Sequence, residues 1–209
     1  MKWDAVFFDC DGIIIDSVDV KTKAFAEMFR AYGPEVEKAV VDYHLKNGGL
    51  SRFEKFRYYY EQILKKPIDD KKIDELAEQF SKLVLDKVLA SAFIPGAMEA
   101  LQKLKKENIP SYVVSGTPHN EINFIIKERD LLEFFIEMLG SPRQKHEIID
   151  GILKSKGYQK ERCLFIGDAM TDYSAAKKTG VCFLGIVKQT EPSPFPDGTC
   201  VSSRVTLEI

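Results

Sequence analysis

The sequence predicts an α/β fold: a Rossmann-like, doubly wound parallel sheet with an inserted α-helical bundle cap domain. Three observations predict it. Short apolar runs at 3–8, 111–114, 135–139, 163–166 and 181–187 have the length of strands and are bounded by turn residues. Helical patterns alternate with the last four runs, as in a parallel sheet covered on both faces. Between the first two runs lie about a hundred residues that read as helix throughout, far too many for a structureless loop.

The elements follow in order. The first run opens at Trp3, which fits the buried face of a strand, and closes on Asp9. Phe25, Met28, Phe29 and Tyr32 then form an i, i+3, i+4, i+7 stripe. Pro34 suits a first helical residue, and that helix runs to Asn47 before Gly48-Gly49 stops it. Ser51 and Glu54 have the spacing of a capping box, and Phe53, Phe56, Tyr60 and Ile63 mark the inward face of the helix it opens, which ends before Pro67. Ile73, Leu76, Ala77, Phe80, Leu83, Val84 and Val88 mark a fourth helix. The cap domain is therefore placed at 16–91 and the catalytic α/β core at 1–15 plus 92–209. Pro95-Gly96 opens the helix that returns to the core. Further helices are marked by Ile122, Ile125 and Ile126, by Ile148, Ile149, Ile152 and Leu153, and by Ala175, Ala176 and Thr179, closed by Gly180. Residues 190–198, with three prolines, read as a loop, and 201–209 as a weak edge strand.

Composition narrows the partners. Lys plus Arg is 30 and Asp plus Glu is 32, a net charge of −2, which argues against a nucleic-acid partner. No apolar run nears the ~20 residues of a membrane span, so no membrane partner is expected. The first residues lack the apolar core of a signal peptide. The four cysteines are scattered without a CxxC pair, as expected for reduced thiols and a cytoplasmic location. Nothing in the sequence marks an oligomeric state.

Four features fall at the carboxyl ends of four strands, where the ligand crevice of a parallel sheet lies. They are Asp9-Cys10-Asp11-Gly12, Ser115-Gly116-Thr117, Lys145, and Gly167-Asp168 with Asp172. Three carboxylates on one rim repel unless a cation sits among them. Mg2+ suits such a set, because it takes one or two carboxylates, waters and a substrate phosphate oxygen. With the charge screened, a carboxylate can attack phosphorus. A second carboxyl two residues on points the same way along an extended chain and can serve as general acid and base. Ser115 and adjacent amides, Gly116 included, would bind phosphoryl oxygens, and Lys145 would balance their charge. His44 and His146 are expected at the surface. Tyr58-Tyr59-Tyr60 reads as packing. Lys46, Arg52, Lys55 and Arg57 suggest an anionic ligand, although such a helix face is usually solvated.

This set resembles the haloacid dehalogenase-like hydrolase superfamily, in its helical-cap branch of phosphoglycolate phosphatases and β-phosphoglucomutases. Its signatures stand here as Phe8-Asp9-Cys10-Asp11-Gly12, Val114-Ser115-Gly116-Thr117, Lys145, and Ile166-Gly167-Asp168-Ala169-Met170-Thr171-Asp172. The resemblance implies Asp9 as nucleophile and metal ligand. It implies Asp11 as acid–base, with its carbonyl on the metal, Asp168 as the other carboxylate ligand, and Asp172 behind the metal. Gly48-Gly49-Leu50-Ser51-Arg52 resembles the cap's specificity loop, in which Arg52 would reach the substrate. Asp16-Ser17 resembles the cap entrance. The histidine often found early in the first cap helix is absent, with Lys21 and Lys23 in that region, and Ala169 stands where many relatives have Ser.

The expected activity is magnesium-dependent hydrolysis of a small phosphorylated metabolite, a sugar phosphate or phospho-acid, through an aspartyl phosphate. A phosphomutase would use the same residues. A 2-haloacid dehalogenase would have no use for an acid at Asp11, since halide leaves without a proton. A non-enzymatic phospho-acceptor module would lack the long helical insertion.

Overall fold

The computed structural model describes residues 3–208. Six parallel strands form one sheet in the order β3-β2-β1-β4-β5-β6. They are β1 (Ala5–Phe8), β2 (Ser111–Pro118), β3 (Glu137–Ser141), β4 (Cys163–Gly167), β5 (Cys182–Ile186) and β6 (Val201–Ser202). The third strand begins two residues later than expected, because Leu132–Phe134 turn as a short 3-10 helix before it. The expected edge strand at 201–209 forms only as the two-residue β6, and Ile209 lies outside the described residues.

Strand periodicity sends alternate side chains to opposite faces. Val6 and Phe8 join one core with Val113, Leu164 and Ile166. Ala5 and Phe7 join the other with Tyr112, Val114 and Phe165. The first core is covered by α5 (Ala97–Lys106) and α6 (His119–Glu128), the second by α7 (Lys145–Lys156) and α8 (Met170–Thr179). Trp3 is buried, and its indole N–H donates to the Leu207 carbonyl at 2.9 Å, so the last residues pack against the first strand.

Between β1 and β2 lie α1 (Val18–Phe29), α2 (Pro34–Lys46), α3 (Arg52–Tyr58) and α4 (Asp70–Ala90). Pro34 is the first residue of α2, and Ser51 Oγ accepts the Glu54 N–H at 3.4 Å. One π-helical turn, Tyr59–Ile63, extends α3. The interior of this bundle is aromatic. The Phe25 ring lies 4.2 Å from Phe80 and 5.6 Å from both Phe56 and Tyr59. Each such buried side chain is worth about 1.5–3 kcal/mol relative to exposure. Tyr59 is fully buried, whereas Tyr58 stacks on Tyr43 at the surface.

The two segments joining bundle to sheet run side by side. Asp16 N–H donates to the Ala92 carbonyl at 2.9 Å, and Ile94 N–H to the Ile14 carbonyl at 3.0 Å. The expectation that His44 lies at the surface is corrected. Its ring packs 4.8 Å from Phe25 inside the bundle, because α2 turns that position toward α1.

Candidate active site

The chain leaves β1 in a tight turn. Asp9 N–H still pairs with the Ile166 carbonyl at 3.0 Å, and the Cys10 carbonyl then accepts the amides of Ile14 and Ile15. Gly12 sits in this turn at φ 77°, and a Cβ there would collide with the Asp168 carboxylate. Glycine thus serves both the left-handed backbone and the close approach of the β4 loop.

Asp9, Asp168 and Asp172 each offer a carboxylate oxygen, and these atoms lie within 4.8 Å of one another. Asp9 and Asp172 are buried. Lys145, the first residue of α7, donates from Nζ to Asp9 Oδ2 at 2.7 Å and to Asp172 Oδ1 at 2.6 Å. Asp172 Oδ2 also accepts the Ala169 N–H at 3.1 Å, which ties the β4 loop to α8. Burial pushes the Asp9 carboxyl up to about 7, against the pull of Lys145 and with the repulsion of Asp172 and Asp11. Burial and the charges of Asp9 and Asp172 likewise raise Asp168 well above the ordinary carboxylate range. Burial alone would lower Lys145, but Asp172 and Asp9 outweigh it and raise it.

Asp11 faces a different set. Ser17 Oγ donates to Asp11 Oδ1 at 2.5 Å, Lys21 Nζ to Asp11 Oδ2 at 2.5 Å, and Thr117 Oγ1 to Asp11 Oδ2 at 3.1 Å. Lys21 Nζ also donates to Thr117 Oγ1 at 2.8 Å. Burial alone would raise Asp11, but these partners, Lys21 foremost, hold it at about 2. Ser115 is fully buried, and its Oγ accepts the Thr117 N–H at 3.1 Å. Among the named site residues, the structure therefore brings Asp9, Asp168, Asp172 and Lys145 into one cluster. Asp11 and Ser115 are each linked to Thr117 beside it.

The loop before α3 covers this rim. The Thr171 hydroxyl donates to the Gly48 carbonyl at 2.5 Å. Gly49, at φ 72°, leaves no room for a Cβ against Thr171 and Lys145, and its carbonyl lies against Gly116. A cavity of about 350 Å³ opens beside Lys145, lined among others by Gly49, Ser51, Ser115, Gly116 and Arg143.

Arg52 lies elsewhere. It is 4% exposed, and its guanidinium forks onto Glu121 of α6, Nη1 to Oε2 at 2.9 Å and Nη2 to Oε1 at 2.5 Å. Nη1 also donates to Ser81 Oγ at 2.6 Å, and the group lies 4.7 Å over the Phe80 ring. It joins the bundle to the core without lining the cavity beside Lys145. Of the other basic residues expected to face an anion, Lys55 of α3 is buried, whereas Lys46 at the end of α2 and Arg57 of α3 are exposed.

Lys21, Thr117 and Glu121 were not singled out as site residues by sequence reasoning. Lys21 carried a usable signal, since it precedes Phe25 and Phe29 at i, i+4, i+8 on the buried face of α1. A lysine on an apolar stripe needs a buried partner, and Asp11 is that partner. Glu121 carried no such signal, because its partner comes from another helix.

A parallel sheet with carboxylates, a lysine and hydroxyls gathered at its strand ends, roofed by an inserted helical bundle, has the make-up of a phosphoryl-handling enzyme on a doubly wound α/β fold. Residues 6–186 match the family model described as haloacid dehalogenase-like hydrolase, and the chain belongs to that family. It is an enzyme of the phosphatase kind. It is 26% identical to the phosphoglycolate phosphatase of Pseudomonas putida over 192 residues, 87% of this chain and 68% of that one. The fold is shared with a haloacid dehalogenase-like hydrolase from Bacteroides fragilis, with TM-score 0.74 and 20% identity over 96% of this chain and 97% of that one. It is also shared with β-phosphoglucomutase from Clostridium difficile, with TM-score 0.73 and 20% identity over 90% and 86%. Among the described residues no helix is long and apolar enough to cross a membrane.

Proposed function

We propose that the chain is a magnesium-dependent phosphatase that hydrolyses a small phosphorylated metabolite, a sugar phosphate or phospho-acid, through an aspartyl phosphate. The observation that carries this reading is the trio of buried Asp9, buried Asp172 and half-buried Asp168, with one ammonium, Lys145, at 2.7 and 2.6 Å from Asp9 and Asp172. Three acids against one base leave an uncompensated negative charge, and an all-oxygen donor set of this kind fits a hard divalent cation. Asp9, Asp168 and the carbonyl of Asp11 would hold Mg2+, with Asp172 behind them; bound there, it would neutralise phosphoryl oxygens and the attacking carboxylate.

In this reading an Asp9 oxygen attacks phosphorus while the bond from phosphorus to the leaving oxygen breaks. Asp11, ionised in the free site, takes a proton from the bound phosphomonoester monoanion and passes it to that oxygen. Asp11 then takes a proton from water, whose oxygen attacks the phosphorus of the aspartyl phosphate, freeing phosphate and restoring Asp9. Lys21, Ser17 and Thr117 orient Asp11. Ser115, the Gly116 amide and Lys145 bind the phosphoryl oxygens, and Lys145, anchored on Asp172, is preset for that charge. Residues 16–91 act as the cap and 1–15 plus 92–209 as the catalytic core. Arg52 contributes to substrate choice indirectly, by fixing the bundle on the core through Glu121. Free thiols at all four cysteines suit a cytoplasmic location.

The test is phosphate release from p-nitrophenyl phosphate in magnesium buffer. Wild type turns over and Asp9→Asn does not. Full activity of Asp9→Asn, or loss of nothing on chelation of Mg2+, overturns the reading. A phosphomutase of the β-phosphoglucomutase type is the second reading, favoured by the Gly48-Gly49 loop lying against Gly116 and Thr171, which shields the rim from water. Incubation with a hexose phosphate separates the two, since a mutase yields isomerised sugar and a phosphatase yields free phosphate.

A further inference from the structure

Residues 187–208 lie beyond the span that the family model matches. Their course is fixed by the core all the same. The Phe195 ring sits against Gly185 of β5, where a Cβ would collide with it, and β6 then pairs with the end of β5. After β6 the chain leaves the sheet edge and runs beside α5. Arg204 lies 3.3 Å from Glu99 and Glu208 lies 3.8 Å from Lys103, one turn further along that helix. Val205 and Leu207 are buried in the same core as Trp3.

The contacts of 203–208 fall on the segments that carry the bundle. The Val205 N–H donates to the Pro95 carbonyl at 2.9 Å. The Val205 carbonyl lies so close to Gly96 that a Cβ there would strike it. Gly96 also has φ 86°, so backbone conformation and close approach both call for glycine. Pro95 and Gly96 end the crossover by which the chain returns from the bundle to α5. Trp3, which gives its indole N–H to the Leu207 carbonyl, precedes the strand that leads to Asp9 and to the outgoing crossover.

The return crossover is the pivot of the bundle. It meets the outgoing one through the Asp16 and Ile94 amides and the Ile15–Phe93 bridge. On its bundle side it is gripped by Arg129 of the core. Arg129 Nη1 donates to the Leu89 carbonyl at 2.7 Å and to the Ser91 carbonyl at 2.5 Å, and the guanidinium lies 4.2 Å over the Phe93 ring. On its core side Val205 is the grip. A short segment held at both ends has few backbone states open to it. Freeing one end multiplies those states, and the bundle they carry gains range.

We propose that residues 203–208 are a strap that stiffens the pivot, so that its release loosens the bundle over the rim while the sheet stays intact. This goes beyond the phosphatase reading and does not depend on it.

The test is amide hydrogen exchange on the full chain and on a variant lacking residues from 203 onward. The Asp16 and Ile94 amides report on the pivot, and the amides of β2 and β4 report on the sheet. Exchange at the pivot should quicken by about 10- to 100-fold in the deletion variant, with β2 and β4 unchanged. No change at Asp16 and Ile94 overturns the strap. Equal acceleration in β2 and β4 also overturns it, since 203–208 would then serve the core as a whole. If circular dichroism shows that the deletion variant does not fold, Trp3→Phe replaces it under the same criteria. That variant keeps a ring in place and removes only the donor to Leu207, so about 3- to 10-fold is expected. Turnover of p-nitrophenyl phosphate in magnesium buffer reads the effect on the cap. A looser pivot should raise KM by about 3- to 10-fold with kcat unchanged, because a smaller fraction of the chain is competent to bind. Faster exchange with an unchanged KM overturns the link to the cap. If wild type shows no turnover, the phosphatase reading fails instead, and exchange alone decides the strap.

Discussion

The rim of the sheet and the interior of the bundle both bury charge, but they treat it differently. On the rim each partner is supplied by the core or by the segment just after β1: Asp9 has Lys145, Asp172 has Lys145, and Asp11 has Ser17, Lys21 and Thr117. In the bundle, Arg52 borrows Glu121 from the core, and Lys55 has only a neutral ring beside it. The rim is preorganised for one charge pattern, as phosphoryl chemistry requires. The bundle leaves His44 Nε2 without a partner and Lys55 without a carboxylate.

That contrast can be broken at several points. The largest effect should come from Lys145→Ala, which removes the shared partner of two buried carboxylates. Turnover of p-nitrophenyl phosphate should fall by about 10²–10³-fold, and Asp172→Asn in the same background should add little, because the two act as a unit. Independent, additive losses would show that the rim is not one network.

Next in size is Arg52→Ala. It leaves Glu121 and Ser81 without their cation, and urea unfolding should show a loss of about 3–5 kcal/mol. The same variant should lose substrate preference more than it loses hydrolysis of p-nitrophenyl phosphate. Equal losses on both would make Arg52 a purely structural clasp.

A smaller effect sharpens the bundle side. Between about 7 and the ordinary lysine value of 10.5, the unfolded chain holds a proton on Lys55 that the folded chain lacks. Stability therefore rises with pH across that window, and the contribution vanishes above it. The groups that set this are the buried surroundings together with Lys21, Asp11, Lys145 and Asp168, with His44 in direct contact. Urea melts at pH 7 and 9.5 should show Lys55→Met gaining on wild type at the lower pH and losing that advantage at the higher. A constant difference would contradict the lowered ammonium. Tyr112→Phe should do least: it removes the 3.0 Å bond to the Tyr158 hydroxyl, at about 0.5–1.5 kcal/mol in the same melts.

The two regions were also unequally legible. Asp9, Ser115 and Asp168 could be read because strand ends in a parallel sheet share one rim, whatever lies between them in the chain. The helices of the bundle were legible from their stripes, and Pro34 begins its helix as its chemistry dictates. Partners across helices were not. His44 looked like a surface residue because nothing local shows that α2 turns it toward Phe25, and Arg52 gave no hint of Glu121, 69 positions away. The third strand moved because a 3-10 turn, which has no apolar period of its own, took up the residues before it.

The Gly48 carbonyl is gripped by Thr171, and Gly49 is wedged against Lys145 and Gly116. In the phosphatase reading, an ester that enters by the cavity beside Lys145 must swing this two-glycine latch aside before its phosphoryl group can lie between Lys145 and Gly116. The speed of that swing sets a ceiling on throughput however fast the bond-breaking is, and solvent viscosity should slow the enzyme once chemistry ceases to be the bottleneck.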